Sequence, residues 1–153
     1  MMDVVNVYNR LSRLPMGKTL FSRAVCQTAP YFSSISPTVE TLAPGRCVVT
    51  MKKRRKVTNH LKTVHAIAMC NMAELAGGLL TDASIPKGAR WIPSGMTVKY
   101  LKKAKTDLIA TADGSGIDWS QEGTVQVPVS VTDTSGVEVF HALIDMNVKL
   151  SAK

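Results

Sequence analysis

Apolar residues in the first thirty positions recur at helical spacing. Val4, Tyr8 and Leu11 share one face, and after the break at Pro15, Met16 and Gly17, so do Leu20, Phe21, Ala24, Val25 and Thr28, which predicts two short helices. Pro30 and Pro37 close this region. Ala43, Pro44 and Gly45 mark a turn between two apolar-containing runs, Ile35 to Leu42 and Arg46 to Met51. The longest helical stretch runs from Thr63 to Leu80, with Thr63 or His65 near its start and the pair Gly77, Gly78 close to its end. From Thr63 to Thr81 only Glu74 carries a formal charge, so protein must cover this helix on most sides. Ala66, Cys70, Ala73 and Gly77 form a stripe of small residues on which another backbone, such as a wrapping sheet, can approach closely.

The second half reads with the period of strands. Phe140, Ala142, Ile144, Met146, Val148 and Leu150 fall on one parity, against His141, Asp145, Asn147 and Lys149 on the other. Val125, Val127, Val129 and Val131 alternate in the same way, and Pro128 among them predicts an edge or bulge position, because proline cannot donate to a ladder. Turn signals at Asp113 to Gly116 and Asp133 to Gly136 separate the runs at short spacing, which favours antiparallel hairpins. The expected architecture is α+β: a long apolar helix against a curved antiparallel sheet, preceded by extra N-terminal helices.

Length and composition bound this picture. With 153 residues and 45% hydrophobic positions, the chain suits a single domain, here read as an N-terminal helical region over 1–32 and a core over 33–153. Three scattered cysteines (Cys26, Cys47, Cys70) indicate neither a disulfide framework nor a zinc site, so a reducing, cytoplasmic setting is expected. The opening MMDVVNVYNR argues against a secretory signal, and the Thr63 to Thr81 segment, broken by Asn71, Glu74 and two glycines, against a membrane span. Charge is unevenly placed: 19 Lys plus Arg against 11 Asp plus Glu give a formal +8, and no acid falls between Glu40 and Glu74. Arg46, Lys52, Lys53, Arg54, Arg55, Lys56 and Lys62 all lie in that gap, with Lys99, Lys102, Lys103 and Lys105 further on. Such concentration points to a polyanionic partner or to a solvated basic surface.

Three features converge between Asn59 and Gly78: an amide side chain in a loop, a helix start at His65 and Ala66, and a lone acid two turns on. Here the sequence resembles the hotdog-fold acyl-CoA thioesterase superfamily, in which a long central helix is wrapped by an antiparallel sheet. The common pattern there is an Asn, a His-Gly or similar pair opening the helix seven residues later, and an Asp or Glu eight residues further along. Asn59, Ala66 and Glu74 keep those spacings, with Ala66 where glycine is usual.

The resemblance implies a thioester hydrolase. The Ala66 N–H, at the positive end of the helix dipole, would bind the thioester carbonyl oxygen, and His65 stands beside it. Glu74 would act as general base on water or attack the carbonyl directly, and Asn59 would orient thioester or water. Ser94 and Thr97 would contact the water or the acid. Eight helical residues rise about 12 Å, more than one glutamate can span while reaching a carbonyl held at Ala66. The two groups must then come from different subunits, so a homodimer is expected, with a tetramer as a dimer of dimers also implied. His65 is half a turn out of phase with Glu74, which argues against a His-Glu dyad and against a metal site; no metal and no cofactor are assigned. Arg54, Arg55, Lys102 and Lys103 would hold the phosphates of coenzyme A, itself part of the substrate. Leu20, Phe21, Val25, Tyr31 and Phe32 would roof an acyl tunnel or belong to the core. His60 is expected in an exposed loop and His141 on the wetter strand face.

Two other readings remain. A hydratase or dehydratase of the same fold would pair a His with the helix acid, yet neither His60 nor His65 stands in the Phe-Pro-Gly context of that branch. A non-catalytic acyl or nucleic-acid binding module would rest on the basic loop, but aromatic residues are only 5% and stacking platforms are scarce, which argues against nucleic acid.

Overall fold

In the computed structural model, residues 3–151 are described. Two helices open the chain, α1 (Val4–Leu11) and α2 (Gly17–Thr28), followed by a 3-10 segment, Pro30–Ile35. Asp3 caps α1, its Oδ1 accepting from the Val5 and Asn6 N–H groups. Then come β1 (Thr38–Ala43), β2 (Arg46–Met51), α3 (Ala66–Ser84), β3 (Arg90–Tyr100), β4 (Leu108–Asp113), β5 (Gly123–Thr132) and β6 (Glu138–Lys149). The six strands form one antiparallel sheet in the order β1-β2-β4-β5-β6-β3, and α3 lies across its apolar face.

The alternating patterns give the buried face directly. Val127, Val129 and Val131 on β5, and Phe140, Ala142, Ile144, Met146 and Val148 on β6, are all buried, while Val125 and Leu150 at the ends are half-buried. Pro128 lies one residue past the end of the β4–β5 register at Ala112↔Val129, so on that side β5 is locally an edge.

The helix expected over Thr63 to Leu80 instead spans Ala66–Ser84. Thr63 and Val64 are drawn off at its start, because Val64 bridges Thr58 and donates its N–H to the Ala104 carbonyl at 2.8 Å. At the other end the glycine pair is interior to the helix. A Cβ on Gly77 would lie 3.0 Å from Ile144 Cδ1, and one on Gly78 would lie 2.8 Å from Trp91 Cη2. These glycines permit close packing against the sheet and do not end the helix.

The N-terminal helices are anchored on β1. Ser22 Oγ accepts the Val39 N–H at 2.8 Å, the Tyr8 hydroxyl donates to the Glu40 carbonyl, and Lys18 pairs with Glu40 at 3.1 Å. Tyr8 and Phe21 pack edge to face at 5.1 Å. This fixes α1 and α2 as a roof beside α3. The run expected to be extended from Ile35 begins its strand only at Thr38, since Ile35 ends the 3-10 segment as a buried anchor.

Candidate active site

The N-terminus of α3 is built by the loop before it. Asn59 Oδ1 accepts from Leu61 N–H (3.0 Å), Thr63 N–H (3.2 Å) and Thr63 Oγ1 (3.2 Å), and the Asn59 N–H donates to the Thr63 carbonyl at 2.9 Å. The carboxamide oxygen is therefore committed to shaping the loop, and only Nδ2 remains to meet a ligand. His65 is the N-cap: its Nδ1 accepts the Ile67 N–H at 3.0 Å, which also sets it facing along its own helix rather than toward Glu74. Ala66 is the first helical residue, so its N–H has no acceptor within the helix, and no other group among the described residues takes it. It remains a half-exposed donor at the positive end of a 19-residue helix.

Glu74 lies two turns along, half-buried, with no hydrogen-bond or ion-pair partner among the described residues. It lines a cavity of about 490 Å³ between α3 and the N-terminal helices, whose remaining walls are mostly apolar, with Phe21, Val25, Phe32, Leu75, Leu79 and Trp91 among them. Of the five residues expected to roof an acyl tunnel, Phe21, Val25 and Phe32 line this cavity. Leu20 and Tyr31 do not; they are 55% and 72% exposed, because α2 and the 3-10 segment turn those positions outward. The sequence reading missed three contributors. Trp91 and Asp82 form one end, the indole Nε1–H donating to Asp82 Oδ1 at 2.7 Å. Asn71, nearly buried, ties the 3-10 segment to α3 by donating from Nδ2 to Ser34 Oγ at 3.0 Å, while its Oδ1 is left without a partner. Glu74, Gly78 and Asp82 at steps of four show that one helical stripe faces the cavity, a signal present in the sequence.

The basic groups gather at the same end as Ala66. Val64 N–H to Ala104 O at 2.8 Å and Lys53 N–H to Asp107 Oδ1 at 2.7 Å fasten the loop carrying Lys102, Lys103 and Lys105 to the one carrying Arg54, Arg55 and Lys56. Among the described residues the only salt bridges are Lys18–Glu40 and His141–Glu138, so no basic side chain of either loop is ion-paired, and the acid between the loops, Asp107, takes the Lys53 backbone N–H. Arg54 differs from the rest. Its Nη2 donates to Ser34 O (3.1 Å) and Ser36 Oγ (2.9 Å), which makes it a strut for the 3-10 segment; Arg55, Lys102 and Lys103 are exposed.

Ser94 and Thr97 lie exposed on β3. Ser94 sits at a bulge between Pro93 and Gly95, and its hydroxyl donates to the Asp145 carbonyl at 3.3 Å. Among the described residues β3 pairs with β6 alone, leaving its other edge free, and Ile92, Met96 and Tyr100 are exposed on it. Burial pushes the Cys70 thiol, one turn before Glu74, above its ordinary value, so it stands as a neutral thiol rather than a nucleophile. His60 is exposed, and His141 pairs with Glu138 at 2.9 Å on the outer face of β6.

The family model described as a domain of unknown function, DUF4442, matches residues 17–148, from the first residue of α2 to near the end of β6. The chain belongs to the DUF4442 family. No curated protein matches it. Among solved structures, a structural-genomics protein is similar at 49% identity and TM-score 0.88, covering 97% of this chain and 99% of its own. A Pseudomonas aeruginosa protein of unknown function, described as a probable thioesterase, is 20% identical with TM-score 0.75 over 89% of this chain and 96% of its own. A thioesterase-family protein from Silicibacter pomeroyi is 16% identical with TM-score 0.72 over 85% of this chain and 96% of its own. This DUF4442 chain thus has the hotdog fold of thioesterase-like proteins, as the Asn59 to Gly78 segment implied. No helix among the described residues is long and apolar enough to cross a membrane.

Proposed function

We propose that the protein is a thioester hydrolase acting on acyl-CoA or a related acyl thioester. The observation that carries this reading is the position of Glu74: a carboxyl group with no hydrogen-bond or ion-pair partner among the described residues, in the wall of a largely apolar cavity, on the central helix of a fold that a probable thioesterase shares. A carboxyl group on an apolar wall with no side-chain partner is left free to meet a water or a ligand that enters the cavity. Glu74 serves as general base on water, or as nucleophile, and the Ala66 N–H receives the negative charge that grows on the thioester oxygen.

Glu74 and Ala66 of one chain stand about 12 Å apart along the helix axis, so the working site takes them from two subunits. The free edge of β3, with Ile92, Met96 and Tyr100 exposed, supports a homodimer in which two sheets continue across that edge. Two such dimers associate where a tetramer forms. Arg55, Lys102 and Lys103 attract the phosphates of coenzyme A, with Arg54 holding the wall behind them. The reaction needs no metal or cofactor.

The test is a panel of acyl-CoA esters assayed with wild type and Glu74→Gln. Hydrolysis of at least one ester, falling about 100-fold or more in kcat in the variant, is the expected result. Turnover untouched by the substitution removes Glu74 from the chemistry, and no turnover of any ester removes the reading.

A further inference from the structure

The cavity has a direction and a stop. Glu74, Gly78 and Asp82 follow one another at single turns along α3 and all line it, so it runs beside the helix for eight residues, about 12 Å. At the Glu74 end the 3-10 segment is pinned by the Asn71 to Ser34 bond and supplies Phe32. Between the ends the walls are Val25, Leu75, Leu79 and the indole of Trp91, which meets the helix because position 78 has no side chain. At the far end Asp82 takes the Trp91 Nε1–H, and Val4 closes over it from α1. Beyond these two residues, which the two spaces share, lies a second cavity of about 430 Å³ with Asp3, Asn6 and Lys87 in its walls. An apolar chain entering at Glu74 gains by burial until it reaches Asp82, and past that point it would have to dry a carboxylate and polar walls.

We propose that this channel is a ruler for a straight, saturated acyl chain, and that the Asp82–Trp91 pair sets its limit at about eight to ten carbons, the extended length that a 12 Å span of helix accommodates. The inference rests on the thioester reading only for the chemistry at the head of the ligand. The roof supplied by α1 and α2 makes the N-terminal helices part of the specificity apparatus, with Val4 at its distal end and Val7 also in its wall.

The experiment measures binding without hydrolysis and without coenzyme A. Straight-chain alkyl thioethers of N-acetylcysteamine, from about four to about sixteen carbons, are titrated calorimetrically into the full-length protein, each methylene being expected to tighten binding about two- to fourfold while it stays in the channel. Affinity should rise to about ten carbons and then level or fall. In Asp82→Ala the break should move to longer chains, and in Val7→Trp to shorter ones. Affinity independent of chain length, or a break that stays in place in both variants, overturns the ruler. A chain-length break in a protein that hydrolyses no thioester keeps the ruler and discards the hydrolase; hydrolysis with no break does the reverse.

Discussion

Trp91 lies so close to Gly78 that a methyl group there would meet its indole Cη2 at 2.8 Å, and the same indole is pinned through Nε1 to Asp82 at 2.7 Å. Gly77, its neighbour, faces the flexible tip of Ile144, Cδ1 at 3.0 Å, with Met146 Cε and Val127 Cγ1 at ordinary contact distances of 3.5 and 3.7 Å. Alanine in a helix interior gains about 1 kcal/mol over glycine. Gly77→Ala should therefore be close to neutral, whereas Gly78→Ala should cost about 1–2 kcal/mol, because a stiff ring must move and strain its hydrogen bond. Denaturant midpoints read both, and placing Gly78→Ala on a Trp91→Leu background should turn the loss into a gain.

Ala66→Pro tests the oxyanion donor with little damage to the helix. Proline is favoured at the first helical position, and His65 already has the extended backbone (φ −65°, ψ 138°) that precedes proline comfortably. The substitution deletes one N–H, and kcat should fall about 100- to 1,000-fold with the thermal midpoint nearly unchanged. Co-refolding Ala66→Pro with Glu74→Gln, each inactive alone, should restore about a quarter of wild-type activity, since half the dimers are mixed and each holds one intact site. No recovery in verified mixed dimers would place both groups within one chain.

Arg54 and Arg55 are neighbours in sequence with different work. Arg55→Glu should raise KM for coenzyme A esters by about tenfold or more, leave kcat alone, and leave the KM of small thioesters lacking phosphates unchanged. Arg54→Glu should in addition lower stability, because Ser34 O and Ser36 Oγ lose their donor. Equal behaviour of the two variants in a melting experiment would contradict this division.

Cys47, fully buried on β2, has its thiol pushed up from 9.0 to about 12 by burial. The folded value lies above the unfolded one, so this group's contribution to stability is complete below about pH 9 and is lost as pH rises toward 12. Cys47→Ala should flatten the alkaline limb of the stability curve over that window, at the cost of a small cavity. Iodoacetamide under native conditions should modify the half-buried Cys26 and Cys70 well before Cys47, as peptide mass mapping would record.

What could be read from the sequence follows from how each element is buried. β5 and β6 alternate cleanly because each has one face on the core and one face out, and α3 declares itself by length and by its lone charge. β3 shows no such rhythm: it lies at the sheet's rim, is exposed at most positions, and carries a bulge at Ser94 that shifts the parity. The glycine pair reads as a helix end because termination and close packing demand the same residue, and only the positions of Ile144 and Trp91 distinguish them. That Ala66 opens α3 and that Glu74 stands on it two turns later was legible from the helical pattern. Asp82 lay within reach through its i, i+4 spacing from Glu74 and Gly78, but Asn71 and Trp91 did not, since their roles arise from contacts with Ser34 and Asp82 across the fold.

The two basic loops have a consequence that reaches beyond contact. Their six lysines and arginines outnumber Asp107, the acid between them, near the N-terminus of α3, so the peptide dipoles of that helix and the net positive charge add in one direction. An anionic ligand is turned and drawn before it touches the surface, over roughly the 8 Å that physiological salt allows such fields to extend. Encounter should consequently be fast in dilute buffer and slow steeply as ionic strength climbs, even where the chemistry downstream does not change.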